Sequence, residues 1–406
     1  MLQNKSYSDG GRQPRFSTAR SGAVTVMVAV LLVVLLGCAA LAVDIGQLYV
    51  ARTELQRAAD SAALAGASAL GRALASPFGE YLFANDIYSR AEAYAQLNNC
   101  VLQGVALSRN TDITIGYLAD PHDLNGNLQI LPLDQCNAVR VLAHRSASNA
   151  AGKVPLFFAP IWGINSSEVS ASAIAVLDDR FYAYRGANAV PFTLHIDTWE
   201  DEIINGNGDD SFGYDPQTGD VRESPDGVPE VKLFPNREGP GNGKGKGKSG
   251  SNDGAGNFGI LEIGDNGNGV PGLRDQIRNG ISQDNFTDLT GEPMIKFYDY
   301  DSGDEVSYNI GGEPGVKAGL KDAIEEKVGQ IVAFFLHDSV SGTGTNTVFH
   351  VVAMRFGRVM EVDLTGNANT GKAVIIQPVP FYGSGILTSP NAPSSDKLIA
   401  KLQLVR

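Results

Sequence analysis

Several stretches have residue types and spacings that could do chemistry. Gly267–Gly272 reads GNGVPG and satisfies G-x-G-x-x-G, the loop that cradles a dinucleotide pyrophosphate. It follows the strand-like Ile260–Ile263, precedes the helix-like Leu273–Gly280, and has Asp288 near the usual acidic spacing. Pro271, however, removes a backbone donor, and the surrounding chain is rich in Gly and Asn for turn reasons, so a turn is the preferred reading. GKGKGKS, ending at Ser249, imitates a phosphate loop, but Asn242 stands where its first glycine belongs and no apolar helix follows. Asn205, Asn207 and Asp209 alternate like the first ligands of a calcium loop; Asp210 then replaces the required glycine and Pro216 the closing glutamate. Asp299, Asp301, Asp304 and Glu305 form a second oxygen-rich cluster. For both, solvated turns are preferred over structural Ca²⁺.

The five histidines (His122, His144, His195, His337, His350) show no zinc-ligand spacing. Ser384 in YGSGI has Tyr382 where a nucleophile elbow needs glycine. The sequence therefore assigns no catalytic residue, no metal ligand and no cofactor.

The elements that would hold such residues begin with Ala23–Val43, AVTVMVAVLLVVLLGCAALAV, which has no charge. As a helix these 21 residues span roughly 31 Å, against a hydrocarbon core of about 30 Å. Lys5, Arg12, Arg15 and Arg20 precede it with Asp9, and Asp44 closes it. By the positive-inside rule residues 1–22 stay in the cytoplasm and the chain after Asp44 is exported. A cleaved signal with a site at Ala40-Leu41-Ala42, or a lipobox at Leu35-Leu36-Gly37-Cys38, are the competing readings. The apolar pattern runs through both sites to Val43, which favours a retained, single-pass anchor.

No proline occurs between Pro14 and Pro77, so the helix can continue. Leu48, Ala51, Leu55, Ala58, Ala62, Ala65 and Ala69 recur at spacings of three and four, a heptad-like stripe. Arg52, Glu54, Arg57 and Asp60 take the other faces. The stripe suits either packing on the chain's own body or close approach to a neighbouring helix, including a second copy in a homo-oligomer.

Arg20–Ala67 resembles the N-terminal region of the Tad (Flp-type) pilus-assembly proteins of the TadE/TadG-like group. The resemblance rests on Arg20 and Gly22 before the anchor, Asp44 closing it, then Arg52, Gln56, Asp60 and SAALAGA. Ala138–Ser146 and Val154–Leu177 are similar to the strand-rich part that follows in TadG-like proteins, and GNFGILEIGDNGNGVPGLRDQIRNGIS and VMEVDLTGNANTGKAVIIQPVP to the C-terminal part of a bacterial subgroup. Pseudopilin members have glutamate five residues after a cleavage glycine; Met27 stands there relative to Gly22, so the anchor is expected to be kept. Asp338-Ser339-Val340-Ser341 lacks the third-position serine of a von Willebrand-type metal motif. The resemblance implies a non-catalytic membrane component whose exported body meets pilus or envelope proteins.

Net charge is −13, of which residues 1–22 carry +3, leaving −16 on the rest. That balance argues against nucleic acid or anionic lipid as the main ligand of the exported part. Cys38 lies in the anchor; Cys100 and Cys136, the exported pair, are expected to form a disulfide in an oxidising compartment, with two buried thiols as the alternative.

The predicted fold class is α+β, mostly antiparallel, with long loops rich in Gly, Asn and Asp. Residues 1–22 are a basic tail, 23–43 the anchor, 44–76 the alanine-rich helix, 77–180 a first exported α+β module, and 181–406 a β-rich, loop-rich module. In the first module Ile87–Leu97 reads as a helix, and Ile113–Ile115, Val139–Val141 and Glu168–Val176 alternate as strands, the last with Val169, Ala171, Ala173 and Ala175 on its apolar side. In the second, Phe192–Ile196 begins a strand, the Asn-Gly steps at 205–206, 207–208, 242–243, 266–267 and 268–269 mark turns, and 239–256 reads as a flexible loop with Lys244, Lys246 and Lys248. Leu320–Val328 reads as a helix, and Thr347–Val379 as two or three strands turning at Gly357 and Gly366–Gly371.

Overall fold

The computed structural model describes residues 19–74, 80–121, 127–149, 151–215, 218–233, 258–264, 269–342, 344–364, 373–383, 385–395 and 399–405. The loop 239–256, the Gly267–Asn268 end of GNGVPG, the Gly366–Gly371 turn, His122 and Ser384 lie outside these residues.

Helix α1, Ala19–Leu74, is unbroken over 56 residues, about 84 Å at 1.5 Å per residue. Residues 24–43 carry no charge and are largely exposed; the helix is long and apolar enough to cross a membrane. From Asp44 onward one face becomes buried. Ala51, Leu55, Ala58, Ala62 and Ala69 are fully buried, Leu48 and Ala65 partly.

What covers that face is the chain itself. Helix α2, Glu80–Gln96, lies along α1, and beneath both runs a four-stranded antiparallel sheet. Its members include β3 (Ile113–Gly116), β4 (Ala138–Arg145) and β7 (Val169–Asp178). Ala171, Ala173 and Ala175 of β7 face α1, as their alternation requires, with Val169 at the half-buried end. Small residues set the spacing: a Cβ on Gly66 would lie 3.0 Å from Val139 Cγ1 and 3.5 Å from Ala91 Cβ. The alanine stripe therefore serves internal packing, and the alternative of a homo-oligomer through this face is corrected. A second copy would have to displace the sheet.

Between β4 and β7 the chain makes a short hairpin, β5 (Val154–Pro155) with β6 (Ser166–Ser167), and between α2 and β3 another, β1 (Asn99–Cys100) with β2 (Gln103–Gly104). The fourth strand of the main sheet is Lys401–Val405, which pairs with β7 from the far end of the chain.

The remaining body is built on a sheet that closes on itself. Strands Thr347–Asp363, Tyr308–Pro314, Phe258–Leu261, Ala189–His195 and Ile331–Ser341 pair in that order, and the last pairs again with the first. Only Ala189–His195 with Ile331–Ser341 is parallel within this ring. Both faces are buried: Val332, Phe334 and Leu336 enter one cluster, Ala333 and Phe335 the other. The predicted α+β class with a mostly antiparallel body is thus observed.

Two local expectations are corrected. Thr347–Asp363 is one strand that runs straight through Gly357. Glycine is needed there for close packing, since a Cβ would lie 2.2 Å from Ile376 Cγ2. The helix expected over Leu320–Val328 is present but shorter: an α-helix at Lys321–Glu325, led by the 3₁₀ turn Ala318–Leu320.

Candidate functional site

The most constrained polar side chain on α1 is Asp44, at the boundary between its apolar half and the body. It is only 5% exposed while its neighbours Val43 and Ile45 are open. Its Oδ1 accepts the backbone N–H of Phe157 at 2.7 Å and of Phe158 at 3.2 Å; Oδ2 accepts Phe158 at 3.2 Å and Ala159 at 2.7 Å. These N–H groups begin the single 3₁₀ turn Ala159–Trp162, and such first donors have no partner within a helix. Burial raises the Asp44 pKa, but the three N–H groups outweigh it, and the net shift is downward. Asp44 thus acts as a cap supplied from 113–115 residues away.

Other residues of the motif also tie α1 to the body. Gln56 Nε2 donates to Asp60 Oδ1 at 2.8 Å and to the Ser172 carbonyl of β7 at 3.2 Å. Glu54 Oε2 accepts Val101 N–H at 2.9 Å, at a hairpin tip where Val101 and Leu102 hold positive φ of 50° and 65°. Arg52 is exposed, Gly22 is open on all sides within the apolar half, and of Arg20 only its helical backbone is described.

Cys100 and Cys136 are both buried thiols with no disulfide between them, which is the alternative to the expected pairing. Each faces a different carbonyl: Cys100 Sγ donates to Ala51 O at 3.5 Å, and Cys136 Sγ lies 3.4 Å from Leu131 O and 3.3 Å from Pro132 O. Burial pushes the Cys100 thiol up, with the nearby Arg145 guanidinium opposing it. Arg145 itself is buried and donates to the carbonyls of Cys100, Ala151 and Gly152, joining the two hairpins.

In the distal body one arrangement has the connectivity of a nucleophilic triad. His350 Nδ1 lies 2.7 Å from Asp338 Oδ1, and its Nε2 lies 3.0 Å from Ser307 Oγ. A depression of about 330 Å³ adjoins it, lined by Asn309, Ser339, Val340, Ser341, Val348 and His350. Asp338 and Ser307 are exposed to water. A hydrated carboxylate stabilises an imidazolium far less than a buried one, so the geometry is present without the desolvation that activates such a serine. His337, the buried neighbour, is held 2.9 Å from Thr193 Oγ1 and packs on His195 and Phe349.

The oxygen-rich cluster serves its own turn: Asp299 Oδ1 accepts the N–H of Asp301 and Ser302. Among the described residues no group of three or more His, Cys, Asp or Glu is placed to hold a metal.

The arrangement is an apolar helix, long enough to cross a membrane, that passes without a break into an antiparallel α+β module and is clasped there by an acidic residue. Comparison with family models is consistent with it and more specific. Residues 22–69 match the Tad family, described as Flp pilus-assembly TadE/G-like, and residues 54–175 match Tad_C, described as Tad-like Flp pilus-assembly. Residues 22–175 are thus similar to these Flp pilus-assembly families. Neither the curated proteins nor the solved structures give a match.

Asp44 was legible in the sequence as the end of the uncharged run, but its partner was not. Val154–Ser167 reads as part of a strand-rich stretch; the signal for something else was 14 consecutive uncharged residues containing Phe157, Phe158, Ile161 and Trp162 beside Pro160 and Gly163.

Proposed function

We propose that this chain is a non-catalytic, single-pass component of Tad/Flp-type pilus assembly or secretion. Residues 23–43 anchor it in the cytoplasmic membrane with the N-terminus inside. The periplasmic or extracellular body then contacts pilus or envelope partners; nucleic acid and cofactors have no part in this reading. The observation that carries it is the continuity of α1, whose apolar half ends at Asp44 and whose buried half is a structural member of the family-matched module. A rigid connection of this kind transmits force and position between membrane and body, which an assembly component requires.

The test has two arms. An alkaline phosphatase fused after residue 180 is active only outside the cytoplasm, and a cytoplasmic reporter fused there is silent. Deleting the gene abolishes Flp-type pili or their secretion while the pilin is still made. A cytoplasmic signal at residue 180, or unchanged piliation, overturns the corresponding half of the proposal.

The Ser307–His350–Asp338 geometry favours a second reading, an anchored exported hydrolase. Hydrolysis of an activated p-nitrophenyl ester that is lost in Ser307→Ala would establish it; turnover unchanged by that substitution removes it.

A further inference from the structure

We propose that the Phe157–Ile164 loop is a second, interfacial membrane anchor. It would seat the exported body on the outer leaflet of the bilayer that α1 crosses. The proposal rests on the reading of residues 23–43 as a membrane span.

The level of the loop is set by Asp44. This is the first charge after Arg20, so the apolar slab ends at Val43, and the Asp44 carboxylate holds the N–H groups of Phe157, Phe158 and Ala159 at that height. The loop is preformed rather than loose. Leu156 N–H bonds Asn165 O at 3.1 Å, Ile164 N–H bonds Ala159 O at 3.2 Å, and Gly163 turns the chain at φ +81°.

Held in this way, the loop turns its large apolar side chains outward. Ile161 is 77% exposed, Phe157 and Trp162 each 66%, and Phe158 and Ile164 are open as well. Tyr49, just above on α1, is also exposed. Elsewhere on the body bulky exposed residues such as Leu97, Ile130 and Ile204 are far apart in sequence, which needs no explanation; a run of five in eight residues does.

Charge marks the waterline. No charged residue occurs from Val154 to Ser167, and the first on either side, Lys153 and Glu168, pair with each other at 3.2 Å across the base of the hairpin. An apolar tip with tryptophan, phenylalanine and isoleucine above a charged rim is the composition that partitions to the headgroup–acyl boundary. Lipid is the occupant the geometry favours, because α1 brings its own bilayer to this level. The loop carries no cation and the exported chain is acidic, so the contact is apolar, indifferent to salt and to anionic lipid.

The experiment uses the full chain in phosphatidylcholine vesicles. The sequence has two tryptophans, so Trp199→Phe leaves Trp162 as the sole reporter, and Trp162→Ala leaves only the buried Trp199. Trp162 emission is expected to be blue-shifted, shielded from iodide, and quenched by lipids carrying a nitroxide high on the acyl chain, equally at low and high salt. Trp199 emission is expected to ignore the labelled lipid. Should Trp199→Phe fold poorly, wild type minus Trp162→Ala yields the same Trp162 signal. Water-like, iodide-quenched emission overturns the proposal. Trp162 shielded from both iodide and lipid label also overturns it, pointing to a protein cover instead. A chain that floats with vesicles but shows either result keeps its membrane span and loses only the interfacial loop. A chain that does not float loses both.

Discussion

Gly71 and Tyr382 are in contact across 311 residues: the Tyr382 hydroxyl donates to the Gly71 carbonyl at 2.7 Å, and a Cβ on Gly71 would lie 2.5 Å from the tyrosine ring. Gly71 is in the last turn of α1, where carbonyls lack intrahelical partners, so the phenol completes the helix end. With the pairing of Lys401–Val405 on β7, this contact joins the distal body to the helix-led module.

Gly71→Val is therefore expected to destabilise the chain by about 1–3 kcal/mol through overpacking. Tyr382→Phe keeps the ring and loses the hydrogen bond, for about 0.5–1.5 kcal/mol. Chemical denaturation of both single variants and the double variant checks this. Effects that add without coupling would mean that the two residues do not share one contact.

Burial raises the Tyr382 hydroxyl well above its ordinary value of 10, with Arg72 opposing the shift and Asp179 adding to it. A raised pKa means the contact contributes fully below pH 10 and is lost as pH climbs through the higher folded value. Stability should decline in strong alkali, and less steeply in Tyr382→Phe. Identical alkaline profiles of the two proteins would contradict the burial of that hydroxyl.

Acid should act on the opposite end of the module. Asp44 is lowered from 3.8 by its backbone N–H partners, although its burial opposes the shift. Glu168 is lowered from 4.5 chiefly by its hydrogen bond from Lys153, and by the Ala147 N–H. For lowered carboxylates the contribution is present above those ordinary values and disappears as pH falls through the folded ones. Amide exchange at Phe157, Phe158 and Ala159, normalised for intrinsic rate, should accelerate below about pH 4. In Asp44→Asn these amides should be less protected at neutral pH, and the acid step should shrink. A wild-type acid step of full size in Asp44→Asn would assign the transition to other groups.

Ala62→Leu adds three carbons at a position with no exposed surface, inside the cluster shared by α1, α2 and the sheet. It should cost about 1–3 kcal/mol of stability of the chain itself. Arg57→Lys, on the exposed face, should be neutral. Thermal melting of the purified full chain decides it. A silent Ala62→Leu would contradict the internal packing of the stripe.

The local patterns were legible because each is written within a few residues. An uncharged run, a three-four stripe and a period-two alternation identify α1, its buried face and β7 without reference to anything distant. Long-range features left weaker marks. The run Ile331–Leu336 is apolar at every position because both its faces are buried, so it has no alternation to display. The parallel pairing of Ala333 with Ala189, and the return of Lys401–Val405 to β7, depend on topology alone. Gly357 suggested a turn because glycine has two uses, and only the Ile376 side chain packed over it reveals which one applies. At the site, Asp44 stood out as the charge that ends the uncharged run, but the three N–H groups it caps are backbone atoms and leave no trace in residue type.

The cysteines offer a direct chemical check of the fold around α1. Cys100 donates to the carbonyl of Ala51 on α1, and Cys136 lies against Leu131 and Pro132, so the two sulfurs are turned to separate backbone sites. Protein unfolded in denaturant without any reductant should therefore take up alkylating reagent at all three cysteines, read as three additions by intact mass. Folded protein should protect Cys100 and Cys136, because burial both blocks access and, at Cys100, keeps the thiol protonated. Only one addition after unfolding, with the other two appearing on reduction, would restore the disulfide and require the β1–β2 hairpin and the Leu131–Cys136 segment to approach each other.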